Sequence, residues 1–348
     1  MAFRTSVDGV NWRGSTVVRA VNSGLYFGIY CDGTFIHYAF GNNAANGALF
    51  YRRGLTRSDG TITWSTAEQT VVGAQPCCAN TKPSVTVDSN GDPWIAYQWV
   101  NFTAGTTYVP KIIKSITNDG TWNTANGFPY SLLPRSSTVQ LAGVVALSGG
   151  KVGALATKDG GAKVNLRTWN GRGWNPTVST ANNIGDSRYW SAVNQGDDIH
   201  LVYLRAGSTG SVTYVRYVYS TNMFGSETVL QTSTSTDAAP TISIDLNKNN
   251  LFCSWAGFPD RNHVYYREYQ ASNSTWLART DWLTELGLIG NDRLTMFSRA
   301  SNNYVGLVYM NKTTGPYQIR FARLNIAGPL PSLATCACPG SDERTKPK

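Results

Sequence analysis

The chain has 348 residues, 41% of them hydrophobic, enough to bury a sizeable core and too many for a disordered segment. Its net charge of +9 is spread along the sequence, with no long Lys/Arg run before the final residues, which argues against a nucleic-acid footprint. No stretch approaches 18 apolar residues in a row, so no membrane insertion is expected.

Residues 1–6 run directly into a strand-like pattern and show no signal-peptide core. The chain is rich in Asn, Thr and Ser and carries sequons at Asn101, Asn273 and Asn311. An extracellular, cell-surface or virion location is the expectation, reached through a removed signal or by another route. With 34 Gly, 11 Trp and 18 Tyr against only five Glu, turn formers and strand formers dominate over helix formers.

From residue 12 onward a repeat sets in. An aromatic follows a turn-like cluster at Trp12, Trp64, Trp122, Trp174, Phe224 and Trp276, at intervals of 52, 58, 52, 50 and 52 residues. Between these aromatics the pattern alternates as strands do. Residues 82–97 align with 239–254 without a gap, so that Pro83 matches Pro240 and Asp88 matches Asp245. Looser copies begin near Leu25, Val139, Trp190 and Leu294, and a further strand follows each. Four short strands in about 50 residues mark a propeller blade. The expectation is one all-β domain over 1–328, a six-bladed β-propeller of four-stranded antiparallel blades, with a Pro/Cys-containing tail at 329–348. Because the last blade has no Trp of its own, residues 12–19 are expected to supply its outer strand and close the ring. Seven blades are the alternative.

Cys31 and Cys253 sit in strand patterns and are expected to be buried and unpaired. Cys77, Cys78, Cys336 and Cys338 lie in loops near Pro. Adjacent cysteines lack the two-residue spacer of a zinc site, so no metal and no cofactor is expected. A disulfide from Cys77 or Cys78 to the tail is expected instead.

The run Ser6-x-Asp8-Gly9-x-x-Trp12, with weaker copies at 58–64 and 117–122, resembles the Asp-box of sialidase-type (bacterial neuraminidase repeat) propellers. The likeness covers residues 2–326 and implies the blade rather than an activity. A sialidase of this kind would need an arginine triad, a Tyr–Glu pair and an Asp. The first inner strand lacks the Arg-Ile-Pro signature of that family, and four of the five Glu fall away from the proposed site.

Asp-box turns join third to fourth strands, so the loops entering each blade and those joining second to third strands emerge on the opposite face, around the channel mouth. Entry loops contribute Lys82, Arg135, Asp186, Arg188, Tyr189, Trp190, Asp237, Asp292 and Arg293; the others contribute Trp99, Phe102, Tyr108, Arg205, Phe258, Asp260, Arg261 and His263. Arginines among flat aromatics suit a carbohydrate bearing carboxylate or sulfate. The expected function is non-catalytic recognition of acidic glycans. The rivals are a glycan-cleaving hydrolase or lyase, with His263 as best-placed base, and a structural protein of a viral particle, for tail or capsid attachment. The expected partner is an acidic glycan or else a surface or particle protein. His37 and His200, inside second strands, are expected to be core residues.

Overall fold

A computed structural model describes residues 2–7, 9–18, 25–64, 67–103, 105–122, 127–207, 210–232, 238–260, 262–284, 294–310 and 319–327. It is an all-β, six-bladed propeller of antiparallel blades. Blade 1 runs through Leu25–Cys31, Phe35–Asn42 and Leu49–Thr56, with an outer strand broken into Ile62–Trp64 and Gln69–Val72. Blade 2 comprises Cys78–Val87, Pro93–Asn101, Thr107–Lys114 and Tyr130–Ser131; blade 3 comprises Gln140–Ala146, Val152–Lys158, Lys163–Trp169 and Val178–Asn183. Blade 4 begins at Trp190–Gln195 and blade 5 at Thr241–Asp245, and both also break their outer strand in two. Blade 6 holds Leu294–Met296, Tyr304–Met310 and Ile319–Asn325 among the described residues.

Burial is heaviest in the second strands, which neighbouring blades cover on both faces, and falls toward the outer edge; inner strands vary, and residues 26–31 of the first are mostly exposed. Thr241–Asp245 is buried at every position, whereas Val178–Asn183 buries only Thr180. The repeating aromatics wedge between sheets where the radiating blades diverge. Trp122 packs edge-on against Tyr51 of blade 1 (5.2 Å), Trp174 against Trp94 of blade 2 (6.3 Å) and Trp276 against Tyr214 of blade 4 (5.1 Å). The box turns behave as local chemistry requires. Gly9, Gly60 and Gly120 all have positive φ, and Thr61 donates its N–H to the Asp59 carboxylate at 2.9 Å.

Ring closure differs from the expectation in detail. Thr16–Val17 pairs with Ala2–Phe3, not with blade 6, because this segment folds back on itself; the Arg13 N–H donates to the Thr5 carbonyl at 2.9 Å. The N-terminal ribbon still touches both ends of the ring. Phe3 packs on Trp64 of blade 1 and Trp12 on Phe321 of blade 6, ring to ring rather than by a strand ladder.

The cysteines divide the same way. Cys253 is buried and free as expected. Cys31 is free but exposed, because it lies on the face of blade 1 turned away from blade 2, opposite to Gly28. Cys77 and Cys78 bond to each other, which leaves neither thiol for the tail. Cys336 and Cys338 lie outside the described residues.

Candidate functional site

The inner strand of blade 2 carries the first element of the site. Its register to the second strand shifts between Thr81 and Ser84, a bulge that re-aims one residue. That residue is Lys82, held at φ +48°, a conformation L side chains rarely adopt. The bulge is seated on glycine backbone of blade 1. A Cβ on Gly41 would lie 1.9 Å from the Asn80 carbonyl oxygen, and one on Gly28 would lie 2.6 Å from that of Pro83. Lys82 reaches over the Tyr26 ring (5.5 Å to its centroid) and makes no ion pair among the described residues. Burial pushes its ammonium below the usual lysine range, and Arg188 adds to the shift while Asp159 and Asp186 oppose it.

Those three residues come from blades 3 and 4. Asp186 caps the turn into blade 4, accepting the Arg188 N–H at 2.8 Å, and its carboxylate also takes both Nε and Nη2 of Arg188 at 2.9 Å. Burial works against this carboxylate, but the Arg188 hydrogen bonds hold it below the usual range. Asp159 accepts the Ser187 N–H at 2.9 Å and ties the turn to blade 3. Below it, Arg188, Tyr189, Trp190, Pro240, Thr241 and Leu294 line a cavity of about 300 Å³ in the channel wall of blades 4 to 6. At the turn end of that wall Arg299 reaches over blade 5 to donate to the Asn194 carbonyl of blade 4 (2.9 Å).

The structure therefore brings Lys82, Asp186, Arg188, Tyr189 and Trp190 together, with different roles. Tyr189 is buried, and Trp190 lies on Gly143 of blade 3 while donating its indole N–H to the Ser187 carbonyl at 3.0 Å. Both are walls rather than free platforms. Arg135 stands apart. Its guanidinium and the Lys111 ammonium flank the Trp99 ring (5.2 and 4.8 Å), and Arg135 lines a smaller cleft of about 210 Å³ with Lys158 and Gln140. Arg205, at the end of Asp198–Arg205, lines neither cavity. His263 sits at the upper corner of blade 5, Nδ1 3.4 Å from Asp281 and Nε2 3.9 Å from Asp260. Asp237, Arg261, Asp292 and Arg293 lie outside the described residues. Sequence reasoning missed Tyr26, Asp159 and Lys158. Tyr26 had a signal, as an aromatic at the start of the first inner strand, Leu25–Cys31.

His37 and His200 are core residues, 1% and 3% exposed. Each ring bonds a third-strand tyrosine through Nδ1, Tyr51 and Tyr214 respectively, at 2.7 Å. Through Nε2 each meets a side chain five residues earlier, Asp32 and Gln195, at 3.0 Å. Burial pushes His200 down to about 4, with Arg216 adding and Asp198 opposing; His37 is also lowered by burial, but Asp32 opposes the shift.

No family model matches the sequence, and no curated protein does. Solved structures match well. A protein of unknown function from Dyadobacter fermentans superposes with a TM-score of 0.53 at 12% identity, covering 86% of this chain and 94% of that one. A fungal lectin from Aleuria aurantia, a six-bladed β-propeller, gives 0.51 at 11% identity over 88% and 96%. AofleA from Arthrobotrys oligospora gives 0.50 at 14% identity over 87% and 86%. The likeness is one of fold. It supports the six-bladed propeller and does not single out its sialidase-type branch.

Proposed function

We propose that this chain is a non-catalytic recognition propeller, displayed on a cell or particle surface, that binds acidic glycans at the channel mouth. The observation that carries the reading is Lys82. A bulge, a left-handed backbone and a partly desolvated ammonium with no ion pair among the described residues each cost stability, and such strain concentrates where a side chain must be presented to a ligand. Arg188, oriented by Asp186, supplies a second cation beside it, and the cleft below gives room for a sugar ring. Arg135 and Lys158 extend the basic rim over blade 3. One structure of the same fold is described as a fungal lectin with a fucose recognition mode, so sugar binding is the role to test first.

Binding of acidic and matched neutral oligosaccharides, measured by titration calorimetry with the wild type and Lys82→Gln, tests the proposal. The acidic series should bind, the neutral series should not bind at the mouth, and Lys82→Gln should weaken the acidic ligand about tenfold, as loss of one charge-assisted contact does. Equal binding by both proteins would remove the site. A second reading rests on His263 between Asp260 and Asp281, a base flanked by two carboxylates. Release of new reducing or unsaturated ends from the same glycans, abolished by His263→Gln, would hand the function to a glycan-cleaving enzyme.

A further inference from the structure

A cavity of about 570 Å³ lies on the opposite face from the mouth, between blades 5 and 6. Its origin follows from the wedge pattern. Blades 2, 3 and 5 each send an outer-strand aromatic back onto the preceding blade, and Phe224 of blade 4 joins the cluster that holds Val164 and Leu166 of blade 3. Blade 6 supplies no such aromatic among the described residues. Trp12 does not take its place, since it packs on Phe321, on the side of blade 6 away from Leu324, the residue facing blade 5. Among the described residues Trp282 of blade 5 covers Tyr266 in this interface, and no aromatic from blade 6 fills the position of the wedge.

Its walls are not those of a packing fault. The floor is apolar, made by Phe252 and Leu324, and Tyr266 stands beside it. Asn250 donates from Nδ2 to one Glu268 carboxylate oxygen at 2.7 Å while its own oxygen accepts the Ala271 N–H at 3.1 Å. Glu268 is thereby fixed, and its second oxygen has no partner among the described residues. Gln270 accepts from Asn273 at 3.1 Å, its amide N–H groups have no partner among the described residues, and Lys248 spends one N–H on the Ile326 carbonyl (3.2 Å). The cavity thus offers an oriented acceptor, amide and ammonium donors, a phenol and an apolar floor. One carboxylate and one ammonium leave it without net charge.

We infer that this cleft is a second ligand site, for a neutral pyranose sugar, separate from the mouth. A sugar ring has the shape of the absent wedge, flat with one apolar face, and a rim of hydroxyls that both donate and accept. Glu268 takes hydroxyl protons, while Gln270 and Lys248 donate to hydroxyl oxygens. The volume lies within the ~300–1,000 Å³ typical of ligand pockets, and the balance of charge selects against the acidic ligands that the mouth favours.

Methyl glycosides of glucose, galactose, mannose and N-acetylglucosamine, screened by saturation-transfer NMR and quantified by calorimetry on the full chain, test this. At least one should bind, with affinity unchanged between about 0.05 and 0.5 M salt, where exposed charges are screened progressively. Glu268→Gln should weaken it about tenfold, since the replaced acceptor is charged, and Gln270→Ala severalfold, both with unaltered melting temperature. Arg188→Ala and Lys82→Gln should leave it unchanged. Binding by none of the four, or binding indifferent to Glu268→Gln and Gln270→Ala, overturns the inference. So does neutral-sugar binding that Arg188→Ala removes, which would assign it to the mouth. Loss of acidic-glycan binding alone leaves this site standing and defeats only the mouth.

Discussion

Between blades 1 and 2 the backbones nearly touch: Gly41 and Gly28 lie under the bulge at 81–84, and Trp122 closes the outer gap on Tyr51. Between blades 5 and 6 the described residues include no outer-strand aromatic from blade 6, and a cavity of about 570 Å³ lies there. The same radial geometry produces both. Where small residues line the inner strands and an indole fills the outside, the interface becomes stiff enough to hold Lys82 in a strained conformation. Where the described residues offer no aromatic from the next blade, polar side chains of the third strand face a cleft. Stiffness serves one side chain that must stay put, and openness serves a guest.

The sharpest way to break this contrast is Gly41→Ala. Its Cβ would overlap the Asn80 carbonyl oxygen, which is backbone and has nowhere to go. Overpacking costs about 1–3 kcal/mol and occasionally more, and a clash with fixed backbone falls at the upper end. Denaturant unfolding should therefore show a large loss, together with loss of mouth binding. Glu268→Gln in the open cleft should shift the same curve by less than about 0.5 kcal/mol.

The buried histidines sharpen the contrast by pH. Tyr51, which Trp122 covers, is bonded to His37, and the twin pair His200–Tyr214 sits far from that interface. A histidine whose folded pKa is lowered keeps its full contribution above the unfolded value near 6.5 and loses it as pH falls toward the folded value. For His200 that window runs from about 6.5 to about 4. The loss amounts to about 3 kcal/mol when complete, at 1.36 kcal/mol per unit. Asp32 opposes the shift of His37, so its share is smaller. Chemical denaturation from pH 7.5 to 4 should show a slope that His200→Gln flattens more than His37→Gln does.

A smaller effect comes from the wedge itself. Trp122→Ala should cost about 2 kcal/mol, below the 3–5 kcal/mol of a fully buried indole because Trp122 is only half-buried. A small-molecule probe of cavities, such as xenon or an indole analogue, should then restore part of the loss. Smallest of all is Arg188→Ala. Its pair with Asp186 is half-exposed on the arginine side, and such pairs contribute only about 0–1 kcal/mol, so thermal melting should barely move while acidic-glycan binding falls.

The blades were legible because their signals are local. A turn, an aromatic and two alternating strands recur within about fifty residues, and neither tertiary context nor ligand is needed to read them. Closure was half legible: the missing Trp of the last blade was visible, and its consequence, the open cleft lined by Tyr266 and Glu268, was not. That cleft depends on what a different blade fails to send, which no local pattern encodes. Lys82 appeared among the candidates only as a cation in an entry loop. Its bulge follows from the glycines of blade 1, some forty residues away, and its isolation from carboxylates depends on Asp186 being occupied by Arg188. Cys77 and Cys78 misled for a related reason: adjacent thiols read as two separate partners for the tail, and the fold joins them to each other.

The most direct test of the central claim is the salt dependence of acidic-glycan affinity in the wild type and in Lys82→Gln. Calorimetry with one uronic-acid oligosaccharide, from about 0.05 to about 0.5 M salt, spans screening lengths from beyond 10 Å to below 5 Å. The account predicts wild-type affinity that falls steadily across this range, and a variant that starts weaker and falls with a shallower slope. Parallel lines of equal affinity, or binding that salt does not touch, would contradict it.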